Sequence, residues 1–136
     1  MGDLVKKMTN SFVVSNLAGS VVFGLEYFRL HNELDKTFQN SLKKGIRFIE
    51  GMEKGLEYPK REKWSEEGSR WYNIVEPIKD GLNLEKLKEY KTILKSVLKG
   101  KDIPEDKIKE MQKYFDVIAD YYQGNAFEIN EFLKDF

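Results

Sequence analysis

Between Lys7 and Glu26 the chain runs for 18 residues without a charged side chain. A stretch of that length crosses a membrane, is removed as a signal, or is covered by the rest of a fold. Six of its positions are polar (Thr9, Asn10, Ser11, Ser15, Asn16 and Ser20), and the apolar runs between them are short. They are too interrupted for a span, and too short for the apolar core of a signal peptide ahead of the Ala18-x-Ser20 pair that mimics a cleavage site. Val14, Ala18, Val21, Leu25 and Phe28 instead follow the three-and-four spacing of one helical face, widened by Val13 and Leu17. Ser11, Ser15, Gly19 and Val22 lie on another face, where small side chains let a second helix approach closely. The stretch therefore reads as a packing helix, covered by its own fold or by a second copy of the chain.

The same spacing recurs downstream. Asn32 and Asp35 are helix-start residues, although no proline prevents one continuous helix there. Leu34, Phe38, Leu42, Gly45, Ile49, Met52 and Leu56 then run in near-heptad register to Tyr58-Pro59. Gly45, Gly51 and Gly55 each cost a helix about 1 kcal/mol relative to alanine, so close packing must compensate. Trp64, Gly68, Trp71, Val75 and Ile78 mark a short third helix ending near Pro77, with Tyr58 to Ser65 the one candidate linker. Asn83 caps a fourth helix carrying Leu84, Leu87, Leu94 and Leu98, and Gly100 stops it. Pro104 opens the last helix, whose stripe is Ile108, Met111, Phe115, Ile118 and Tyr122. Its phase extrapolates past Gly124 onto Ala126, Ile129, Leu133 and Phe136, which predicts continuation nearly to the C-terminus, with a break at Gly124-Asn125 as the alternative.

The expected fold is all-α, a single domain over residues 1–136. It is an antiparallel bundle of four to five helices at about 10–31, 33–57, 65–76, 84–99 and 104–134, antiparallel because the connections are short. A chain of 136 residues with 40% hydrophobic and 34% charged side chains has the composition of a globular protein. Its 23 basic and 23 acidic residues cancel, so no global field draws it to nucleic acid or anionic lipid. The absence of cysteine excludes disulfides, thiolate metal sites and thiol nucleophiles. It also makes a reducing, cytoplasmic setting the expectation. Abundant Lys and Glu without Cys point toward a thermophile, and eight asparagines point away from one.

Chemistry is sparse, and no cofactor, metal or catalytic site is expected. His31 is the only histidine. The Glu-x-x-His pair of ferritin-like di-metal bundles would need a glutamate where Phe28 stands. Arg29 is too close to His31 for the arginine-then-histidine spacing of small helical ribonucleases. Asp116 and Asp120 stand one helical turn apart, but Lys109 and Lys113 on the same flank suggest a solvated, charge-laced surface. The aromatics Tyr58, Trp64, Trp71 and Tyr72 alternate with Lys60, Arg61, Lys63 and Arg70, but core spacing and neighbouring glutamates favour packing over base stacking.

Lys88, Lys91, Lys95 and Lys99 line one flank of the fourth helix. Residues 83–100 carry five lysines against two glutamates, while residues 101–136 carry five basic against nine acidic side chains. The stripe is a solvated face, a partner for the acidic helix, or a contact with nucleic-acid phosphates. Finally, Tyr114, Val117, Tyr121 and Phe132 give the last helix a second apolar flank beyond what one small core needs. These features predict a non-catalytic module acting through protein–protein contact, a structural, scaffold or adaptor protein that self-associates. Ser15, Gly19, Val22, Tyr114, Tyr121 and Phe132 are its interface candidates. The alternative is a nucleic-acid-associated accessory protein using the lysine stripe. An enzyme drawing on Asp116, Asp120, His31 or a tyrosine comes third.

Overall fold

The computed structural model describes residues 2–33, 35–57, 66–124 and 128–136, with side chains described outside residues 2–11 and 66–69. Every regular element among them is helical: α1 Gly2–His31, α2 Lys36–Glu57, α3 Glu66–Val75, a 3-10 turn Glu76–Ile78, α4 Leu84–Leu98, α5 Glu105–Tyr122 and α6 Ile129–Lys134. The expected linker Tyr58 to Ser65, with Trp64 in it, lies outside the described residues, as does Ala126. No described helix is long and apolar enough to cross a membrane.

Local chemistry sets the helix ends. Asn32 adopts a left-handed backbone (φ 52°) and its N–H bonds the Phe28 carbonyl at 2.8 Å, which separates α1 from α2. The Asp35 carboxylate then accepts from the Phe38 N–H at 3.1 Å and caps α2. Asn83 caps α4 in the same way through the Lys86 N–H, and Gly100 (φ 82°) ends it.

Two boundaries differ from expectation. α1 begins at Gly2 rather than near residue 10. The last helix is not continuous to 134: Gly124 turns left-handed (φ 95°) and α5 ends at Tyr122. After the break, α6 lies against the turn that follows α3, where the Asn130 side chain accepts from the Gly81 N–H at 2.8 Å and donates to the Pro77 carbonyl at 3.3 Å. Ile129 and Leu133 are buried all the same, so the hydrophobic phase carries over without the helix.

One cluster of buried side chains draws on every helix. α1 packs on α2 and α5, α2 on α3 and α4, and α5 on α6. The glycines of α2 set how near these neighbours come. A Cβ on Gly45 would strike Val21 of α1, and one on Gly51 would strike the Trp71 ring. At Gly55 it would lie 2.6 Å from the Trp71 carbonyl oxygen. In the reverse direction, a Cβ on Gly24 of α1 would lie 2.7 Å from a methyl of Leu42 on α2.

Across α4 and α5, Tyr90, Tyr114 and Phe115 pack edge to face or tilted, and Phe136 meets Tyr114 at 5.2 Å between centroids. The Tyr90 hydroxyl donates to Glu110, while the buried Tyr114 hydroxyl has no hydrogen-bond partner among the described residues. Burial pushes the Tyr114 phenol well above its ordinary pKa. Because an unpaired buried hydroxyl costs about 1–3 kcal/mol, Tyr114→Phe should raise stability, by about 1 kcal/mol. Gly51→Ala, which forces a methyl into Trp71, should lower it by about 1–3 kcal/mol. Urea denaturation checks both, and a destabilising Tyr114→Phe would contradict the packing described.

Candidate functional site

α1 is 30 residues long and apolar on two opposite sides. Its inner side supplies Val14, Ala18, Val21, Leu25 and Phe28 to the core. Its outer side carries Phe12 (72% exposed), Phe23 (71%) and Leu30 (62%), the three most exposed large hydrophobic side chains among the described residues. Asn16 and Gly19 fill the turns between Phe12 and Phe23 on the same line. Of the eight glycines whose surroundings are described, five have no room for a Cβ within the fold and two are left-handed. Gly19 alone has open space and an ordinary helical backbone. A mid-helix glycine that the chain's own packing does not require costs about 1 kcal/mol.

Contacts with α5 fix the roll of α1. Ser15 donates a long bond (3.5 Å) to the Ala119 carbonyl, and Gln112 donates to the Val22 carbonyl at 3.4 Å and to the Glu26 carboxylate at 2.7 Å. Arg29 pairs with Glu26 on its own helix and with Glu105 of α5 at 3.2 Å. At the elbow between α1 and α2, Tyr27 stacks on Phe38 at 4.1 Å between centroids and meets the His31 ring at 4.4 Å with a tilt of 39°. These bonds hold the inner face in place and so aim Phe12, Gly19 and Phe23 outward.

The expected small-residue face is therefore divided. Ser15 and Val22 lean on α5, Gly19 faces out, and the Ser11 side chain lies outside those described. The second apolar flank of α5 turns inward: Tyr114 is 1% exposed and so is not a surface residue, while Val117 and Tyr121 pack partly buried against the core. Phe132 sits on α6, half exposed. Phe12, Phe23 and Leu30 were not among the residues the sequence singled out. Their signal was the spacing of 11 and then 7, in register with Gly19 and opposite the densest stripe.

The other candidates are dispersed. Lys91 is held against α2 by an ion pair to Glu53 at 2.7 Å, whose geometry falls short of a directed hydrogen bond. Lys88, Lys95 and Lys99 are exposed, which leaves three lysines facing solvent rather than four. One other α4 lysine meets the acidic last part of the chain, Lys86 reaching Glu110 at 3.7 Å, while the Lys107–Glu89 pair at 3.0 Å runs the other way, from an α5 lysine to an α4 glutamate. His31 is exposed at the end of α1. Asp116 and Asp120 are both exposed on α5, and partial desolvation, with Asp120 adding to it, raises the Asp116 pKa. Among the described residues no three His, Asp or Glu side chains gather where a metal would bind. An open cleft of about 480 Å³ between α2, α3 and α4 is walled by Trp71 and by three basic and three acidic side chains, the Lys91–Glu53 pair among them. Trp71 packs as core, 6.1 Å from Phe48 between centroids.

No protein-family model matches the chain, and neither does any curated protein or solved structure with which it was compared.

Hydrogen bonds from Arg29 and Gln112 hold the Glu26 carboxyl at about 2, below its ordinary 4.5. A carboxyl depressed by folding contributes stability that is complete above the unfolded value and fades as pH falls toward the folded one. The melting temperature should therefore drop less between pH 4.5 and 2 in Glu26→Gln than in the wild type. Superimposable pH profiles would contradict this role.

Proposed function

We propose that this protein is a non-catalytic helical module that works through protein–protein contact, self-association included, with the outer face of α1 as its contact surface. In this reading the six helices form a single bundle with largely antiparallel neighbours, serving as a structural, scaffold or adaptor unit. The observation that carries it is the line Phe12, Gly19, Phe23 and Leu30: three large side chains left in water beside a glycine that no internal contact requires. Burying a phenylalanine is worth about 1.5–3 kcal/mol, so two exposed rings on one line forgo stability that a partner recovers. The helix glycine has the same logic, since lacking a Cβ it admits a close backbone or a ring. Interfaces are enriched in aromatic anchors and depleted in charge at their centre, as this line is between Lys7 and Glu26.

Gly19→Leu and Phe23→Glu test the reading without touching the core. A leucine at 19 meets open space within the chain, so folding is kept while close approach is blocked. By light scattering on a sizing column, the wild type should run heavier than its 16.0 kDa chain mass, and both variants should return to that mass with unchanged far-UV circular dichroism. A wild type of single-chain mass at every accessible concentration would overturn self-association, and variants that keep the assembled mass would overturn the choice of face.

A further inference from the structure

Beyond the left-handed Gly124, residues 128–136 double back along α5, far enough for Phe136 to meet the Tyr114 ring. The place they return to is shaped for them. A Cβ on Gly81 would lie 2.8 Å from the Asn130 Cα and carbonyl oxygen and 2.9 Å from the Leu133 Cβ, so its three nearest neighbours all belong to α6. The Gly81 backbone is not left-handed, so its conformation does not require a glycine. What excludes a side chain there is α6. The Asn130 carboxamide completes the seat, accepting from the Gly81 N–H at 2.8 Å and donating to the Pro77 carbonyl at 3.3 Å.

The seat is specific, but the hold is slight. A helix of six residues is too short to be stable alone, and each residue of the segment loses backbone entropy when it docks. Against that stand buried Ile129 and Leu133, half-buried Phe136 and the two bonds of Asn130. Glu131, Phe132, Lys134 and Asp135 are exposed. Under the segment lies a group that gains by its departure. Tyr114 is 1% exposed, and Tyr90 and Phe115 pack on its ring from within the bundle, as Phe136 does from the returning segment. Its hydroxyl has no partner among the described residues, so closure over it forfeits a hydrogen bond that water restores. Two other tyrosines differ in this respect: Tyr90 donates to Glu110 and Tyr122 to the Ile74 carbonyl.

We propose that residues 128–136 are a latch, which leaves Gly81 and Tyr114 as a unit while the other helices stay folded, and that the Tyr114 hydroxyl biases it toward the open state. Openings of this kind draw on the least stable part of a fold, where few apolar contacts hold a short element. The open state bares the Tyr114 ring and the Pro77–Gly81 turn, so the latch sets how often that hidden surface is offered. The motion lies within one chain, and its failure leaves the contact reading of α1 standing.

Native-state hydrogen exchange on the full chain reads the latch. The amides of Phe132, bonded to the Glu128 carbonyl, and Asp135, bonded to the Phe132 carbonyl, report α6, while those of buried Ile49 and Leu94 report the bundle. In the wild type the two α6 amides should share one free energy of opening, below that of Ile49 and Leu94 and insensitive to low urea, since a local opening exposes little surface. Gly81→Ala, which drives a methyl into α6, should speed both together by about tenfold. Tyr114→Phe, which removes what opening would hydrate, should slow both by about tenfold. If α6 exchanges at the free energy of the core amides, it is an inseparable part of the bundle and the latch is overturned. A response at Asp135 without Phe132 would mean fraying of the chain end and overturn it equally. If the two α6 amides open together but Tyr114→Phe slows only Ile49 and Leu94, the hydroxyl stays covered and its part in the latch is overturned.

Discussion

The Trp71 side chain lies on the α2 backbone at Gly51 and its own backbone lies there at Gly55, while Val21 of α1 lies there at Gly45. Without these three missing side chains neither α1 nor α3 comes as close. The rest of the core is built on that approach: Phe48 stays within reach of both Trp71 and Phe115, and so links α3 through α2 to α5. Each glycine lowers the helix propensity of α2, and each is offset by the close neighbour it admits. The Tyr122 hydroxyl, donated to the Ile74 carbonyl, ties α5 to α3 on the far side.

α1 follows the same rule on one face and departs from it on the other. Toward the core, Gly24 admits Leu42 and Val21 enters at Gly45, both within the chain. Away from the core, Gly19 admits no neighbour among the described residues, and Phe12, Phe23 and Leu30 are mostly exposed. A helix whose inner face obeys close packing and whose outer face shows the same ingredients unpartnered is one element short of a complete environment. The Glu26, Arg29, Gln112 and Glu105 network matters for that reason, since it fixes which face is outward.

The sequence made the helices legible because burial imposes a spacing of three and four, and the caps legible because Asp35, Asn83 and Gly100 do chemistry that depends on few neighbours. It misled where two structures share one pattern. Ile129 and Leu133 keep the phase of α5 because they enter the same core, and phase alone cannot separate a continuous helix from one broken at Gly124 and folded back onto Gly81. The lysine stripe was visible, but not that Glu53 stands opposite Lys91. The outer face of α1 was hardest, since a helix apolar on both sides does not reveal which side its own chain covers. Only the positions of α2 and α5 decide that, and with them the difference between Ser15, which is packed, and Gly19, which is not.

The central claim is that the outer face of α1 is covered in solution, and hydroxyl-radical footprinting over a dilution series reads it directly. The account predicts that Phe12, Phe23 and Leu30 are shielded at high concentration and gain reactivity together on dilution, while half-exposed Phe132 on α6 stays constant as an internal reference. Reactivity at Phe12 and Phe23 that matches their 72% and 71% exposure at every concentration would contradict it.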